Sequence, residues 1–120
     1  MCFLKGMDVW NVTKKSKITT GVIACSTLWQ KARGLMFRKQ ANLIFIEKEE
    51  KYIPLHMFFV FYSIDVVYLN KEKEVVELKQ NVLPFSFYSP KKKAQYVLEL
   101  KNKTIATKKI ECGDILDFLI

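Results

Sequence analysis

The chain has 120 residues, of which half are hydrophobic and 27% are charged, with only four glycines and three prolines. That composition excludes disordered, collagen-like and low-complexity proteins. The length predicts a single domain over residues 1–120, with a core large enough to be stable without cross-links. The net charge of +8 is uneven, because residues 1–39 carry +7, residues 40–90 carry −2 and residues 91–120 carry +3. Such a field attracts polyanions, although a lysine-rich surface also serves solubility alone.

Lysine supplies almost all of the positive charge, with 18 lysines against two arginines. Bidentate recognition of base edges depends largely on arginine, whereas lysine acts as a point charge. The composition therefore disfavours sequence-specific DNA binding and leaves non-specific binding of a polyanion open.

The cysteine pattern and the hydropathy bear on the compartment. Three widely spaced cysteines, Cys2, Cys25 and Cys112, form neither a Cys-x-x-Cys motif nor a disulfide framework, which favours reduced thiols. The N-terminus lacks the apolar core of a signal peptide, and the longest apolar run, residues 57–62, is far too short to span a membrane. We therefore expect a cytoplasmic protein with no membrane partner.

Hydrophobic periodicity predicts several short strands and one short helix. Alternating β-branched residues predict a strand over residues 18–25. A Thr27-Leu28-Trp29-Gln30 capping pattern, followed by Gly34, predicts a helix near residues 27–34. The remaining predicted elements are strands over residues 43–46, 57–62, 64–69, 74–80, 94–101 and 115–120, loops over 47–51 and 70–73, and a helical turn over 104–109.

Six to eight strands without long helices between them predict a mainly β fold, a β-sandwich or barrel-like domain that is mostly antiparallel. The clearest alternation lies in residues 94–101. It places Tyr96 and Leu98 on the core face, and Glu99 on the opposite face, interpreted as solvated.

Several motifs follow one another in a fixed order along the chain, and together they carry a family resemblance. They are Ala24, Thr27, Ala32-Arg33-Gly34-Leu35-Met36-Phe37-Arg38, Ile64-Asp65-Val66-Val67-Tyr68-Leu69-Asn70, Pro84, Tyr96-Val97-Leu98-Glu99-Leu100 and Gly113-Asp114. In this order they resemble the domain of unknown function 192 family of bacteria and archaea, over about residues 24–120, with an archaeal-like member as the nearest type. The resemblance implies a small, mostly β domain with one short helix near its start, and it implies no assigned activity.

The chain departs from many bacterial members of that family in two respects. Where they carry a Trp-Met-x-Asn-like segment, this chain has His56-Met57-Phe58-Phe59-Val60, so a role for that asparagine does not carry over. Those members often also carry an export signal, which this sequence does not show.

Five polar residues in apolar or turn segments are candidates for a ligand site: Arg38, His56, Asp65, Glu99 and Asp114. Arg38 and Asp65 form either a pocket in which Arg38 binds an anionic group or an internal ion pair. His56, the only histidine, is either a base oriented by an acid or a histidine with an ordinary hydrogen bond. Glu99 is either a second acid or part of a solvated face, and Asp114 is typical of a turn.

Two basic stretches are candidates for a nucleic-acid interface: Lys14, Lys15 and Lys17, and Lys91, Lys92 and Lys93. The second follows Phe85-Ser86-Phe87-Tyr88, and aromatic residues beside lysines are typical of single-strand binders. The simpler interpretation is a loop whose aromatic rings join the core while its lysines stay in water. Cys25, just before the predicted helix, is either a nucleophile or a buried residue.

The sequence shows no catalytic triad, phosphate-binding loop, metal cluster or dinucleotide motif, so it predicts no catalytic residue, metal or cofactor. The leading hypothesis is a non-catalytic binding or accessory module for an anionic small molecule. The alternatives are a non-specific nucleic-acid-binding module and a small hydrolase-like enzyme using His56 and carboxylates. We expect a monomer or a weak dimer.

Overall fold

The computed structural model describes residues 6–25 and 39–118. Within them, nine strands and one short helix follow one another along the chain. These are β1 Met7–Asn11, β2 Ser16–Cys25, β3 Leu43–Lys51, β4 Leu55–His56, β5 Ile64–Leu69, β6 Val75–Val82, β7 Phe87–Tyr88, β8 Ala94–Lys101, α1 Thr104–Lys108 and β9 Leu116–Asp117.

Strand β5 is the second strand in the order of the main sheet, and all six of its residues are buried. It pairs with β6 on one side and β8 on the other, both antiparallel, so Val67 lies opposite Leu78 and Leu98. Strand β3 continues the sheet beside β8, and β2 joins β3 in parallel. The predicted antiparallel arrangement is thus confirmed with one parallel pair.

The sheet curls until its two ends meet. Its strand order is β6-β5-β8-β3-β2-β1-β9, and a bridge between Glu74 and Ile115 joins the segment before β6 to the segment before β9. The backbone N–H of Val75 donates to the carbonyl of Asp114 at 2.8 Å, and that of Leu116 donates to Lys73 at 3.0 Å. The barrel-like, mainly β fold predicted from the strand count is therefore confirmed.

Apolar side chains cover both faces of this sheet, which explains why five of the six residues of β5, all but Asp65, are hydrophobic. One cluster includes Val67 and Leu98, and α1 contributes Ile105 to it. The cluster on the other face includes Val66 and Tyr68 and is covered by the segment around β4, which contributes Met57. The β4–β7 pair forms a separate two-stranded sheet over this second face.

The strands predicted over residues 18–25, 64–69 and 94–101 are confirmed, as is the helical turn. The predicted loop over residues 47–51 is wrong, because β3 continues through this charged stretch to Lys51. The predicted strand over residues 57–62 is also wrong, because the chain turns there and Phe59 has a φ of 54°. Strand β1 was not predicted, and the helix predicted near residues 27–34 lies outside the described residues.

The strand predicted over residues 115–120 is shorter in the described part of the chain, where β9 covers Leu116–Asp117. Among the described residues, no helix is both long enough and apolar enough to cross a bilayer.

Candidate functional site

Asp65 is completely buried, and backbone groups occupy both of its carboxylate oxygens. Oδ1 accepts a hydrogen bond from the N–H of Asn81 at 3.0 Å, and Oδ2 accepts one from the N–H of Ile105 at 2.9 Å. The residue preceding α1, Lys103, makes no side-chain cap, so Asp65 supplies the acceptor for the first turn. Asp65 is thus tied to the backbone, while its suggested partner Arg38 lies outside the described residues.

Asp114 is the second buried aspartate, and three donors surround it. Its Oδ2 accepts hydrogen bonds from Asn11 Nδ2 at 2.8 Å, Lys14 Nζ at 2.9 Å and the Glu111 N–H at 3.0 Å. Burial alone would raise the pKa of Asp114, but these donors outweigh it and hold the pKa below its ordinary value. The turn predicted at Gly113 and Asp114 is therefore also an anchor between β1 and the segment before β9.

Glu99 is not on a solvated face, as the strand alternation predicted, but is 2% exposed. It lies opposite Leu43 of β3 and Val66 of β5, on the face that the β4–β7 segment covers. The prediction from alternation was wrong because both faces of the sheet are buried here. No described residue donates a hydrogen bond to its carboxyl group, and burial raises the pKa of Glu99 to about 8.

His56 lies in β4 opposite Phe87 and is partly exposed. Its Nδ1 accepts a hydrogen bond from the N–H of Phe58 at 3.3 Å, and its ring lies 5.3 Å from the Phe58 ring. Within the described residues, no carboxylate is hydrogen-bonded to His56. The structure therefore provides no orienting acid for a catalytic base at this position.

Cys25 is buried and disulfide-bonded, so it is not a free nucleophile, and the expectation of three reduced cysteines is wrong. Cys112 is a free and exposed thiol. No group of three or more histidine, cysteine or acidic residues in the described ranges is arranged to hold a metal ion.

Two adjoining depressions lie between β2 and α1, each with a volume of about 370 Å³. They share Thr107 and Lys108. No carboxylate is among the residues that line them, whereas six lysines are: Lys14, Lys17, Lys101, Lys103, Lys108 and Lys109. We call the two depressions together the basic groove.

Side-chain hydrogen bonds fix the floor of the basic groove. Asn42 donates from Nδ2 to Thr19 Oγ1 at 2.7 Å and accepts at Oδ1 from the N–H of Lys101 at 3.0 Å. The hydroxyl of Thr104 donates to the carbonyl of Lys101 at 2.6 Å. These bonds join β2, the start of β3 and the end of β8, so the groove is held in shape before any ligand arrives.

Lysines bracket α1 in a conformation that lysine does not favour. Lys103 precedes the helix with a φ of 75°, and Lys109 follows it with a φ of 55°. Glycine or asparagine is usual at such left-handed positions, and a lysine there costs about 1 kcal/mol. Both lysines line the basic groove. The two residues with this unfavourable backbone conformation are thus also two of the positive charges of the groove.

Two of the six lysines are already paired. Lys14 Nζ lies 2.8 Å from Glu111 Oε1 and 2.9 Å from Asp114 Oδ2, and the Glu111 hydrogen bond contributes most to raising the pKa of Lys14. Lys17 Nζ lies 3.5 Å from Asp8 and 5.1 Å from the Trp10 ring centre. The other four form no ion pair with a described residue, so they are the charges that a ligand can use.

The two basic stretches suggested by the sequence do not lie together. Lys14 and Lys17 line the basic groove, near α1, and Lys15 is exposed in the adjoining β1–β2 turn. Lys91–Lys93 precede β8, whereas Lys101 ends it, and an eight-residue strand is about 25 Å long. Four groove residues were not predicted from the sequence, although their position on both sides of a predicted helical turn was a usable signal: Lys101, Lys103, Lys108 and Lys109.

Comparisons with known proteins agree with this fold. The sequence profile of the family described as "DUF192: Uncharacterized ACR, COG1430" matches residues 10–118. A UPF0127 protein of Thermococcus sibiricus is 38% identical over 109 residues, covering 87% of this chain and 70% of that protein. A UPF0127 protein of Pyrococcus furiosus is 38% identical over 111 residues, covering 90% and 95%.

Two solved structures share the fold at low sequence identity. The crystal structure of a "putative transcription regulator" from Sinorhizobium meliloti has a TM-score of 0.86 at 19% identity, covering 98% of this chain and 96% of that one. A protein of unknown function from Novosphingobium aromaticivorans has a TM-score of 0.80 at 18% identity, covering 93% and 83%. The profile match and the archaeal relatives together show that this chain belongs to the DUF192 family.

Proposed function

We propose that this protein is a binding module for an anion carrying several phosphate groups, which it holds in the basic groove. The observation that carries the proposal is the lining of the groove, where six lysines and no carboxylate surround two depressions that meet. Four of those lysines form no ion pair with a described residue. A polyanion would supply the missing counter-charge.

Phosphate is the anion that the groove chemistry fits best. Lysine ammonium groups attract phosphate as point charges, and hydroxyl groups beside them add hydrogen-bond donors. The groove offers Thr20 and Thr107 beside its lysines. Because these groups do not form the planar fork of an arginine, they support binding of phosphates without recognition of a particular base.

An extended ligand fits better than a compact one. The two depressions share Thr107 and Lys108, so the basic surface runs from Lys101 at the end of β8 to Lys17 in β2. A single phosphate would satisfy one depression only. The ligand class is therefore a chain of phosphates, either inorganic polyphosphate or the backbone of a single-stranded nucleic acid.

The test compares two triple variants with the same change in net charge. Lys103→Gln/Lys108→Gln/Lys109→Gln removes charge from the groove, and Lys91→Gln/Lys92→Gln/Lys93→Gln removes it from the far end of β8. Binding of a labelled single-stranded oligonucleotide and of tripolyphosphate is measured across a salt series. We expect only the groove variant to lose affinity. For the oligonucleotide, the slope of the logarithm of the binding constant against the logarithm of the salt concentration should become shallower by about 2.

Comparing tripolyphosphate with the oligonucleotide distinguishes inorganic polyphosphate from single-stranded nucleic acid as the ligand. Tighter binding of the oligonucleotide at equal charge would assign the groove to nucleic acid, and tighter binding of tripolyphosphate would assign it to a smaller polyanion. Equal loss of affinity in both triple variants would refute the proposal, because the binding would then follow net charge and not the groove. The small-molecule pocket near Arg38, His56 and Asp65 and the hydrolase hypothesis stay predictions without a supporting contact in the described residues.

A further inference from the structure

A cluster of exposed apolar side chains lies on the segments that carry β4 and β7. Phe61 and Phe87 are about two-thirds exposed, at 64% and 67%. With about 200 Å² of surface per phenylalanine, the exposed apolar area is about 500 Å², near the upper end for a monomeric protein. We call this cluster the phenylalanine tip, and it consists of Phe58, Phe59, Phe61, Leu83, Phe85 and Phe87.

Backbone hydrogen bonds hold the two segments of the phenylalanine tip together. Buried Met57 donates its N–H to the carbonyl of Ser86 at 2.8 Å, and the N–H of Phe85 donates to the carbonyl of Met57 at 2.9 Å. Phe59 and Phe85 have φ values of 54° and 57°, a conformation that bulky residues rarely adopt. Since both rings stay nearly half exposed, the fold does not recover that strain by burying them.

The surface beside the phenylalanine tip is positive. Lys91, Lys92 and Lys93 follow β7 directly, and all three are exposed. The nearby carboxylate of Glu77 is already occupied, because it accepts hydrogen bonds from the Tyr88 hydroxyl and from the N–H groups of Lys91 and Lys92. No carboxylate of the described residues forms an ion pair with any of the three lysine ammonium groups.

We propose that the phenylalanine tip docks on an anionic lipid bilayer, with its rings in the interfacial region and Lys91–Lys93 against the headgroups. Exposed apolar rings flanked by lysines are the combination that binds such a surface, since burial of the rings and attraction to anionic lipid add. The sequence predicted no membrane partner because no apolar run could span a bilayer. Docking on the surface requires no spanning segment.

The packing of the rings favours a bilayer over a nucleic acid. Phe58 and Phe87 meet edge to face at 5.0 Å and 86°, and Phe61 and Phe85 meet at 5.3 Å and 72°. Bases stack on open ring faces that are spaced along a strand, whereas these rings pack against one another edge to face, Phe58 with Phe87 and Phe85 with Phe59 and Phe61. A protein partner is also less favoured, because the tip contains none of the Trp, Tyr or Arg that dominate such contacts.

The experiment measures co-sedimentation of the whole chain with phosphatidylcholine vesicles and with vesicles that also contain phosphatidylglycerol, at low and high salt. Phe61→Ser/Phe87→Ser tests the rings, and Val12→Ser is its control, because Val12 is 53% exposed in the β1–β2 turn at the other end of the molecule. The two lysine triple variants described above, Lys91–Lys93 and Lys103/Lys108/Lys109, test the charges.

We expect binding to the anionic vesicles only, weakened more than about tenfold by Phe61→Ser/Phe87→Ser and unchanged by Val12→Ser. The Lys91–Lys93 variant should lose about fivefold per lysine, and the groove variant should lose much less. Absence of vesicle binding, or binding that both lysine variants weaken equally and the phenylalanine variant leaves unchanged, would overturn the proposal. Self-association that Phe61→Ser/Phe87→Ser abolishes, without vesicle binding, would instead assign the tip to a second copy of the chain.

Discussion

Asp65 and Ile105 are joined by a hydrogen bond of 2.9 Å between a carboxylate oxygen in β5 and a backbone N–H in the first turn of α1. They are 40 positions apart in the chain. Thr107 and Lys108 of α1 line both depressions of the basic groove. The bond to Asp65 therefore holds this part of the groove in position. The buried aspartate therefore supports the proposed site without contacting its ligand.

We expect Asp65→Ala to lower the free energy of unfolding by about 3 kcal/mol, because the buried N–H of Ile105 and the partly buried N–H of Asn81 lose their acceptor. Asp65→Asn, which keeps one oxygen, should cost less. Urea denaturation followed by circular dichroism measures both. An unchanged stability in Asp65→Ala, together with weaker anion binding, would instead support Asp65 as a ligand residue in a polar pocket.

Glu99 makes the stability depend on pH. Its pKa is about 8 in the folded protein and 4.5 as an ordinary glutamate, so the folded state binds the proton more tightly. The contribution of Glu99 to the free energy of unfolding is therefore fully present below pH 4.5, and it is lost as the pH rises toward 8. A tenfold difference in proton affinity corresponds to about 1.4 kcal/mol, so we expect a loss of a few kcal/mol.

The matched variant for that prediction is Glu99→Gln, which is neutral at every pH. Urea denaturation of both proteins below and above neutral pH should show the decline in the wild type and a flatter profile in the variant. Parallel profiles would show that Glu99 is ionised in the folded protein and that its carboxyl has a partner.

Asp114 has the opposite dependence. Its pKa lies below the ordinary value, so the stability it contributes is present above that value and is lost as the pH falls through the folded-state pKa. We expect Asp114→Ala to cost about 2 kcal/mol at neutral pH through its three donors and to flatten the acid side of the stability profile. Glu111→Gln is the control, because its side chain is 75% exposed and its ion pair contributes little. Equal effects of the two variants would contradict this assignment.

Two substitutions of Lys109 separate the cost of its left-handed backbone conformation from its role in binding the anion. Lys109→Gly should raise the free energy of unfolding by up to about 1 kcal/mol, because glycine adopts the left-handed conformation freely, and should weaken binding of tripolyphosphate. Lys109→Gln should weaken that binding without the gain in stability. Thermal denaturation and calorimetric titration of both variants check this, and full affinity in Lys109→Gly would exclude the lysine from the site.

The sequence predicted those parts of the fold that depend on local alternation. Strand β5 was predicted with its observed bounds because a short segment that is mostly hydrophobic and rich in valine and isoleucine is typical of a buried strand. The turn around Phe59 was wrongly predicted as a strand. Its buried residues Met57 and Val60 are interspersed with rings that face solvent, and this pattern resembles that of a strand. Periodicity does not distinguish a strand from a turn that covers one.

The site was less predictable than the fold, because it depends on contacts between distant positions. Glu99 was assigned to the solvated face because alternation gives the two faces of a strand but not what covers them. Lys14 and Lys108 are far apart in the chain, and only the packing of α1 against β2 brings them to one groove. The high lysine content left polyanion binding open, while the position of the basic groove became visible only in the structure.

Binding in the basic groove is tested most directly by an amide-shift NMR titration of the isotope-labelled protein with tripolyphosphate at low salt. We expect saturable shifts that cluster on the basic groove, at Thr19, Thr20, Thr104, Thr107 and Lys108, and that disappear in the Lys103→Gln/Lys108→Gln/Lys109→Gln variant. Shifts centred on Lys91–Lys93, or no saturable shifts in the groove, would contradict it.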